Sequence, residues 1–562
     1  MTVSISSVVP ERPHFRPGEP WRMRLVIRSD EPADALVRAW PVWPCRSARS
    51  TRATAPGEVI EHRTRLLAGL TEVTCELPSP PAAERGYLVG AAVDTGAGTA
   101  TGHGTADVLN DWRSDPRYGF LSEFGPGDTG QEAKAAWMAG LHINCAQFYD
   151  WAYRHDRLLP PTARYRDPIG RELSLDSVKA SIAACGDAGI ASLGYAALYA
   201  SLPDFAAAHR DWQITDGSGT PEHLAELFYL MNPADPGWQA HLLGNLGQAL
   251  DALDFSGFHL DQYGYPRTAW DRAGRPVDVG AGLAGLASAA AGLVTGRRAG
   301  GGNIANAVGG WPAAEFAAVP QLASYVEVWE PHSRYEDLVA LADLARQGAA
   351  RPVILAAYPA FLRAEPWPAP GPASGGLGLL TAVILAAGGW PLLAGESGRV
   401  LADPYYPKHV APPAAATATM ARLLAFGVAF RDWLRGPLIR AVEPAFLAGP
   451  AAEWEFSVPV SVRPEAGQVW ARASTTPGWT VLSLVSLREV TDPSWDRPQP
   501  TASTGTVAIT LPRHLREPAC WAASPERGLE RPEISTRPDG RYQVRVSLRL
   551  WTLLGIADES AR

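Results

Sequence analysis

Cysteine is scarce in this 562-residue chain, and what little there is does not pair into a motif. Cys45, Cys75, Cys145, Cys185 and Cys520 are scattered and odd in number, and none stands in C-x-x-C spacing. That excludes a dense disulfide framework and a cysteine zinc site, and leaves buried free thiols as the expectation, with a Cys45–Cys75 bridge as the alternative. Histidine is also thin, at twelve residues with no H-x-E-x-x-H or comparable ligand spacing, so no metal or other cofactor is expected. There is no excess of basic charge: the net charge is −8, which argues against nucleic acid or an anionic membrane as a partner. Long apolar runs are missing too, apart from 376–394, which glycines interrupt. The N-terminal residues carry neither a basic n-region nor an apolar h-region, so a cytoplasmic location is the expectation.

Aromatic residues are what the chain does have, with twenty tryptophans and sixteen tyrosines. Most such rings serve as core, but they also stack on the C–H faces of sugars. At about 150 residues per domain the length suggests two to four domains. Residues 1–112 read as an immunoglobulin-like β-sandwich, with alternating runs at Arg22–Arg28, Ala35–Trp40 and Tyr87–Val93 between Pro/Gly turns. Residues 113–436 change to short apolar runs alternating with Ala-rich helical stretches, the pattern of a parallel α/β fold. Eight candidate strands follow in order: Tyr118–Phe124, His142–Trp151, Ala191–Tyr199, Gly257–Tyr263, Asn303–Val308, Ser324–Trp329, Pro352–Tyr358 and Trp390–Ala394. Eight strands predict a closed (β/α)8 TIM barrel, with an open doubly wound sheet as the alternative. No G-x-G-x-x-G follows an early strand to favour that alternative. Helices are predicted over Ser177–Ala188, Trp238–Leu253, Tyr335–Gln347 and Gly376–Ala387, and a loop over Pro366–Ser374. Residues 437–562 read as a C-terminal antiparallel β-sandwich packed against the barrel.

Barrel active sites lie at the C-terminal ends of the strands. The fourth strand, Gly257-Phe-His-Leu-Asp-Gln-Tyr-Gly, ends in Asp261 with Gln262 beside it. The sixth, Ser324-Tyr-Val-Glu-Val-Trp-Glu, ends in two glutamates. Strand parity puts Tyr325, Glu327 and Trp329 on one face and Glu330 on the other, which selects Glu327. Asp261 and Glu327 are 66 residues apart, two βα units at roughly 30 residues each. Two carboxylates at one end of a barrel are the equipment for glycosidic bond cleavage. After the second strand, Gln147, Asp150, Trp151, Tyr153 and His155 offer hydrogen-bond partners and ring platforms for a sugar, joined by Tyr195 on the third strand, Gln262 beside Asp261 and Trp329 beyond Glu327.

The stretch Gln147-Phe-Tyr-Asp-Trp-Ala-Tyr-Arg-His-Asp, continuing through Asp167-Pro-Ile-Gly-Arg-Glu-Leu-Ser, resembles glycoside hydrolase family 66, which holds dextranases and cycloisomaltooligosaccharide glucanotransferases. Tyr118-Gly-Phe-Leu-Ser-Glu-Phe, Asn232-Pro-Ala-Asp-Pro-Gly-Trp-Gln, the two carboxylate segments and Trp495-Asp-Arg-Pro extend the resemblance over nearly the whole chain. It implies the same three-domain layout and a retaining enzyme on α-1,6-glucan, with Asp261 as nucleophile and Glu327 as acid/base. Known members are secreted, and the cyclising ones carry an insertion in the barrel that this chain lacks. Cyclisation is therefore not expected, and isomalto-oligosaccharides are the expected substrate. A transglycosylase on the same glucans and a non-catalytic glycan-binding protein are the competing readings.

Overall fold

The computed structural model describes residues 2–42, 58–79, 84–347, 351–364, 368–396, 398–404, 408–516 and 518–558. Its centre is a ring of eight parallel strands: Tyr118–Leu121, Cys145–Phe148, Ala191–Ala197, Gly257–Asp261, Ile304–Val308, Ser324–Glu327, Val353–Ala356 and Gly389–Pro391. They are called barrel strands 1 to 8 below. Strands 1 to 7 each lie within a run expected to be a strand; strand 8 starts one residue before the expected Trp390–Ala394 and ends at Pro391. All seven neighbouring pairs run parallel in sequence order, and the ring closes where Phe120 N–H donates to the Ala394 carbonyl at 3.2 Å. A Cβ at Gly395 would lie 1.5 Å from the Phe120 carbonyl oxygen, so glycine is what permits that close approach.

Eight helices follow the eight strands: Gln131–Gly140, Leu175–Asp187, Pro236–Ala252, Val279–Arg297, Ala313–Phe316, Tyr335–Gln347, Pro370–Ala386 and Ala414–Ala429. Their starts follow from capping chemistry. Ser174 accepts from the Ser177 N–H, Asp235 from Gly237 and Trp238 ahead of Pro236, and Asp278 from Ala281. Two expectations need correction. The segment expected to be a loop to Ser374 is helical from Pro370, because proline in a first turn forfeits no hydrogen bond (Pro366 and Trp367 lie outside the described residues). The apolar stretch at 376–394 also has a counterpart in Val279–Arg297, a helix long and apolar enough by composition to cross a membrane. Half of that helix's apolar window is buried, and it packs on Pro236–Ala252.

Residues before the barrel form two facing antiparallel sheets of three and four strands around Trp21, Met23, Val37, Val89 and Val108. Those after it form a second sandwich around Leu482, Val507, Val544 and Leu554. The four described cysteines, Cys75, Cys145, Cys185 and Cys520, are buried thiols; Cys45 lies outside the described residues.

The domains are locked together. Arg117, with a side chain fully removed from solvent, pairs with Asp107 of the N-terminal sandwich at 2.7 Å and with Asp115 at 2.9 Å. It also donates to the carbonyls of Pro13 and His142. Arg435 and Arg431, beyond the last barrel helix, close on Asp115 at 2.8 and 3.7 Å. Burial alone would raise the Asp115 pKa, but Arg435, Arg117 and Arg431 hold its carboxyl well below the ordinary range. On the other side Trp495 donates to the His332 carbonyl at 2.8 Å, and Asp496 accepts from Phe361 N–H at 3.0 Å, which seats the C-terminal sandwich on the barrel.

Candidate active site

At the C-terminal end of the barrel the strands surround a cavity of about 360 Å³, lined by residues from all eight βα segments. The pleat decides what reaches it. On strand 4 the inward positions are His259 and Asp261, on strand 5 Asn306, and on strand 6 Tyr325 and Glu327. Glu330, past the end of strand 6, is exposed.

The two carboxylates are joined through one amide. Asn306 Nδ2 donates to Asp261 Oδ1 at 2.7 Å and to Glu327 Oε2 at 2.9 Å. The Oδ1–Oε2 separation therefore cannot exceed about 5.6 Å, the two bonds laid end to end. Each carboxylate has a further donor of its own. Tyr195 Oη reaches Asp261 Oδ2 at 2.7 Å, and Tyr358 Oη reaches Glu327 Oε1 at 2.9 Å.

Below this pair lies a layer of rings. Tyr118 Oη meets His259 Nδ1 at 3.1 Å, and the His259 ring lies between Tyr325 and Tyr195, at centroid distances of 4.9 and 6.1 Å. Burial lowers the His259 pKa to about 3, so this floor is neutral at physiological pH. Burial also holds the hydroxyls of Tyr195 and Tyr358 well above their ordinary range, so both remain donors.

That floor shifts the carboxyls. Burial, followed by the charge of Glu327, pushes the Asp261 carboxyl above its ordinary range against the pull of the Tyr195 and Asn306 bonds. Burial pushes Glu327 up as well, opposed by bonds from Asn306, Tyr358 and Trp329. Both side chains open onto the cavity, so solvent moderates the effect. Two carboxyls this close cannot both be charged at low cost.

Of the residues expected to contact substrate, Gln147, Asp150, His155, Tyr195, Gln262 and Trp329 line the cavity. Gln147 Oε1 and His155 Nδ1 are buried and find no hydrogen-bond partner among the described residues. His155 packs edge-on to Phe228 at 4.5 Å, and burial lowers its pKa to about 4, so it is neutral. Asp150 adopts φ +47°, a left-handed conformation that aspartate tolerates, and its carboxyl lies 3.5 Å from Arg171. Burial pushes Asp150 up to about 7 even though Arg171 pulls the other way.

Trp151 and Tyr153 do not reach the cavity. The turn at Asp150 rolls the chain back, so Trp151 is fully buried beneath the loop, donating to the Tyr195 carbonyl at 3.2 Å and packing 5.0 Å from Phe255. Tyr153 lies edge-on to Tyr165 at 6.3 Å. Gln262 lines the wall with its polar atoms already engaged: its amide donates to the Asn306 and Trp311 carbonyls, and its oxygen accepts from Gly264 N–H. It braces the wall more than it offers itself to a ligand.

Sequence reasoning missed Asn306 and Tyr358. Both lie in segments expected to be strands, and the inward parity that selected Glu327 would have selected Asn306 between Ile304 and Val308. It also missed the hairpin His223–Leu230 from the third βα segment, whose Leu224, Ala225, Leu227 and Phe228 wall one side of the cavity.

Comparison with known proteins bears on this geometry. The model of glycosyl hydrolase family 66 matches residues 58–553. Two cycloisomaltooligosaccharide glucanotransferases of Niallia circulans are 27% identical over 312 residues and 28% over 326. These matches cover 51% and 53% of this chain but 32% and 33% of the relatives, so the chain spans about a third of the curated relatives it matches. Among solved structures, a Paenibacillus sp. cycloisomaltooligosaccharide glucanotransferase complexed with cycloisomaltoheptaose superposes with a TM-score of 0.86 at 19% identity, covering 99% of this chain and all of that one. At that identity the likeness is one of fold.

Proposed function

Because the chain belongs to glycosyl hydrolase family 66, we propose that it is a retaining enzyme that cleaves α-1,6-glucosidic linkages of isomalto-oligosaccharides or dextran through a covalent glycosyl-enzyme intermediate. The observation that carries the retaining chemistry is the shared Asn306 amide. An Oδ1–Oε2 separation of at most about 5.6 Å brings the facing oxygens of the two carboxyls close together, which supports the roughly 5–5.5 Å spacing of double displacement over the roughly 6.5–9.5 Å that an intervening water needs.

In this reading Asp261, ionised and held by Tyr195 and Asn306, attacks the anomeric carbon. Glu327 holds the one proton of the pair and delivers it to the departing oxygen. It then takes a proton from the acceptor that releases the sugar. Because Glu327 must reach the departing oxygen, the leaving sugar lies toward Trp329 and Tyr358. The retained sugar lies toward Asp150, His155 and Phe228, all on the cavity wall. Gln147 Oε1 and Asp150 are the groups there that can accept from sugar hydroxyls. The α-1,6 preference rests on the similar proteins, whose name describes action on isomalto-oligosaccharides.

The acceptor distinguishes hydrolysis from transfer. Water is the acceptor in the hydrolase reading, and the glucanotransferase names of both curated relatives favour a sugar hydroxyl as the second reading. Incubation with isomaltotriose through isomaltoheptaose and with dextran, followed by product sizing and anomeric NMR, tests both. Shorter α-products mean hydrolysis with retention, and longer or cyclic ones mean transfer. First-formed β-products, or full turnover by Asp261→Asn or Glu327→Gln, would refute the mechanism.

A further inference from the structure

Asn306 lies on barrel strand 5, between the strands that carry the two carboxylates. Its side chain is 2% exposed, and its Nδ2 spends both hydrogens on those carboxylates. Tyr195 serves Asp261 and Tyr358 serves Glu327, whereas Asn306 serves both. Among the described residues its own Oδ1 finds no hydrogen-bond partner. The two carboxylates alone therefore fix the orientation of the amide, since the flipped amide would turn its oxygen toward two acids.

We propose that Asn306 is the positioning residue that sets the carboxylate spacing and supports the negative charge on Asp261 and Glu327 in turn. The inference rests on the double-displacement reading above. In the first step an Asp261 oxygen bonds to the anomeric carbon as the glycosidic C–O bond breaks, and the Glu327 proton passes to the departing oxygen. The charge has moved from Asp261 to Glu327. In the second step the acceptor gives its proton to Glu327, its oxygen bonds to the anomeric carbon and the ester to Asp261 breaks. The charge returns to Asp261. One negative charge is present at each stage, and only its location changes. Hydrogen bonds to a charged acceptor are about twice as strong as those to a neutral one. The amide therefore stabilises whichever carboxylate is ionised, through N–H groups already in place, with no reorientation between steps. A donor to a single carboxylate would favour one step and oppose the other; a shared donor favours neither.

The test is Asn306→Ala in the full chain, followed with 4-nitrophenyl α-isomaltoside and isomaltotriose. The nitrophenolate leaves without a proton, so its burst reads attack by Asp261, and the steady state reads release of the intermediate. Both steps should slow by about tenfold to a hundredfold, the cost of reacting groups that are no longer held at their spacing. The acid and base limbs of kcat/KM should both move to higher pH, because the donor favoured the ionised form of each carboxyl. A burst and a steady state each within twofold of the parent, or limbs that stay put, would overturn the role. Asn306→Asp, similar in shape, covers failure of the alanine variant to fold. Its activity relative to the parent should recover toward acid pH, where the added carboxyl is protonated and can donate, and a flat ratio would overturn the proposal. If Asp261→Asn turns over normally, the double-displacement reading falls. If it is inactive while Asn306→Ala is unperturbed, only the role of Asn306 falls.

Discussion

Replacing Tyr358 with phenylalanine removes one hydroxyl and keeps the ring that packs against Trp329 at 6.0 Å. The hydroxyl donates to Glu327 Oε1 at 2.9 Å and makes no contact with Asp261 among the described hydrogen bonds. A hydrogen bond to an ionised acceptor contributes about 1.5–3 kcal/mol, and one pKa unit corresponds to about 1.4 kcal/mol. Glu327 opens onto the cavity, which places the loss at the lower end of that range, about 1.5 kcal/mol, or a rise of about one pKa unit. The sign is fixed: the donor favours the carboxylate, so its removal raises the Glu327 pKa. Glu327 must be protonated for the first step, so the base limb of kcat/KM should move up by about one unit while the acid limb, set by Asp261, stays in place. At neutral pH, substrates with a sugar leaving group should react about tenfold more slowly, because the carboxylate that forms on Glu327 is less stable by that amount. Aryl glycosides, which need no proton, should be nearly unaffected in their burst. Kinetics of both substrate types across pH check this. A fixed base limb, two limbs moving together, or an equal loss on both substrates would refute the roles assigned to Glu327 and Tyr358.

Tyr195→Phe is the mirror case: of the two carboxylates its hydroxyl serves Asp261, so the acid limb of kcat/KM should rise and the base limb stay. Trp151→Ala should cost about 3–5 kcal/mol of stability, read as a lower urea midpoint, since it empties a fully buried site. Trp329→Ala, on the cavity wall, should instead raise KM and, by removing a bond to Glu327, move the base limb of kcat/KM up, with little effect on the melt. Arg117→Ala leaves the buried Asp107 without its closest partner and should cost about 3–5 kcal/mol, read by chemical denaturation. In NMR titrations the His155 and His259 rings, with pKa values lowered by burial to about 4 and 3, should stay neutral from pH 8 to pH 5; a midpoint near 6.5 would show that they are solvated.

The barrel was legible in the sequence because its signal is collective. Each strand is a short apolar run of the kind seen at Ser324–Glu327, and eight in a row leave few other topologies. The carboxylates were legible for a different reason: a charge at the end of an apolar strand must have a use. Asn306 carried no such signal, because a buried asparagine looks like any polar residue until the two partners on adjacent strands come within reach. Trp151 misled for the opposite reason. An indole amid polar residues suggests a sugar platform, but the left-handed turn at Asp150 sends it inward, and the sequence gives no hint that an aspartate takes that conformation. The helix Val279–Arg297 escaped notice because small residues occupy all its faces, so it lacks the apolar stripe that marks an amphipathic helix.

The buried cluster around Arg117 bears on how this protein can be cut and recombined. Asp107 is contributed by the N-terminal sandwich, Asp115 and Arg117 by the link into strand 1, and Arg431 and Arg435 by the end of the barrel. A barrel transplanted from residue 113 onward would bring all three guanidiniums and leave Asp107 behind. Its floor would then hold an excess of positive charge shielded from water. Chimeras built by exchanging the N-terminal domain should therefore succeed when the donor supplies an acid at the position of Asp107, and should fail as insoluble protein when it does not, whatever the quality of the graft elsewhere.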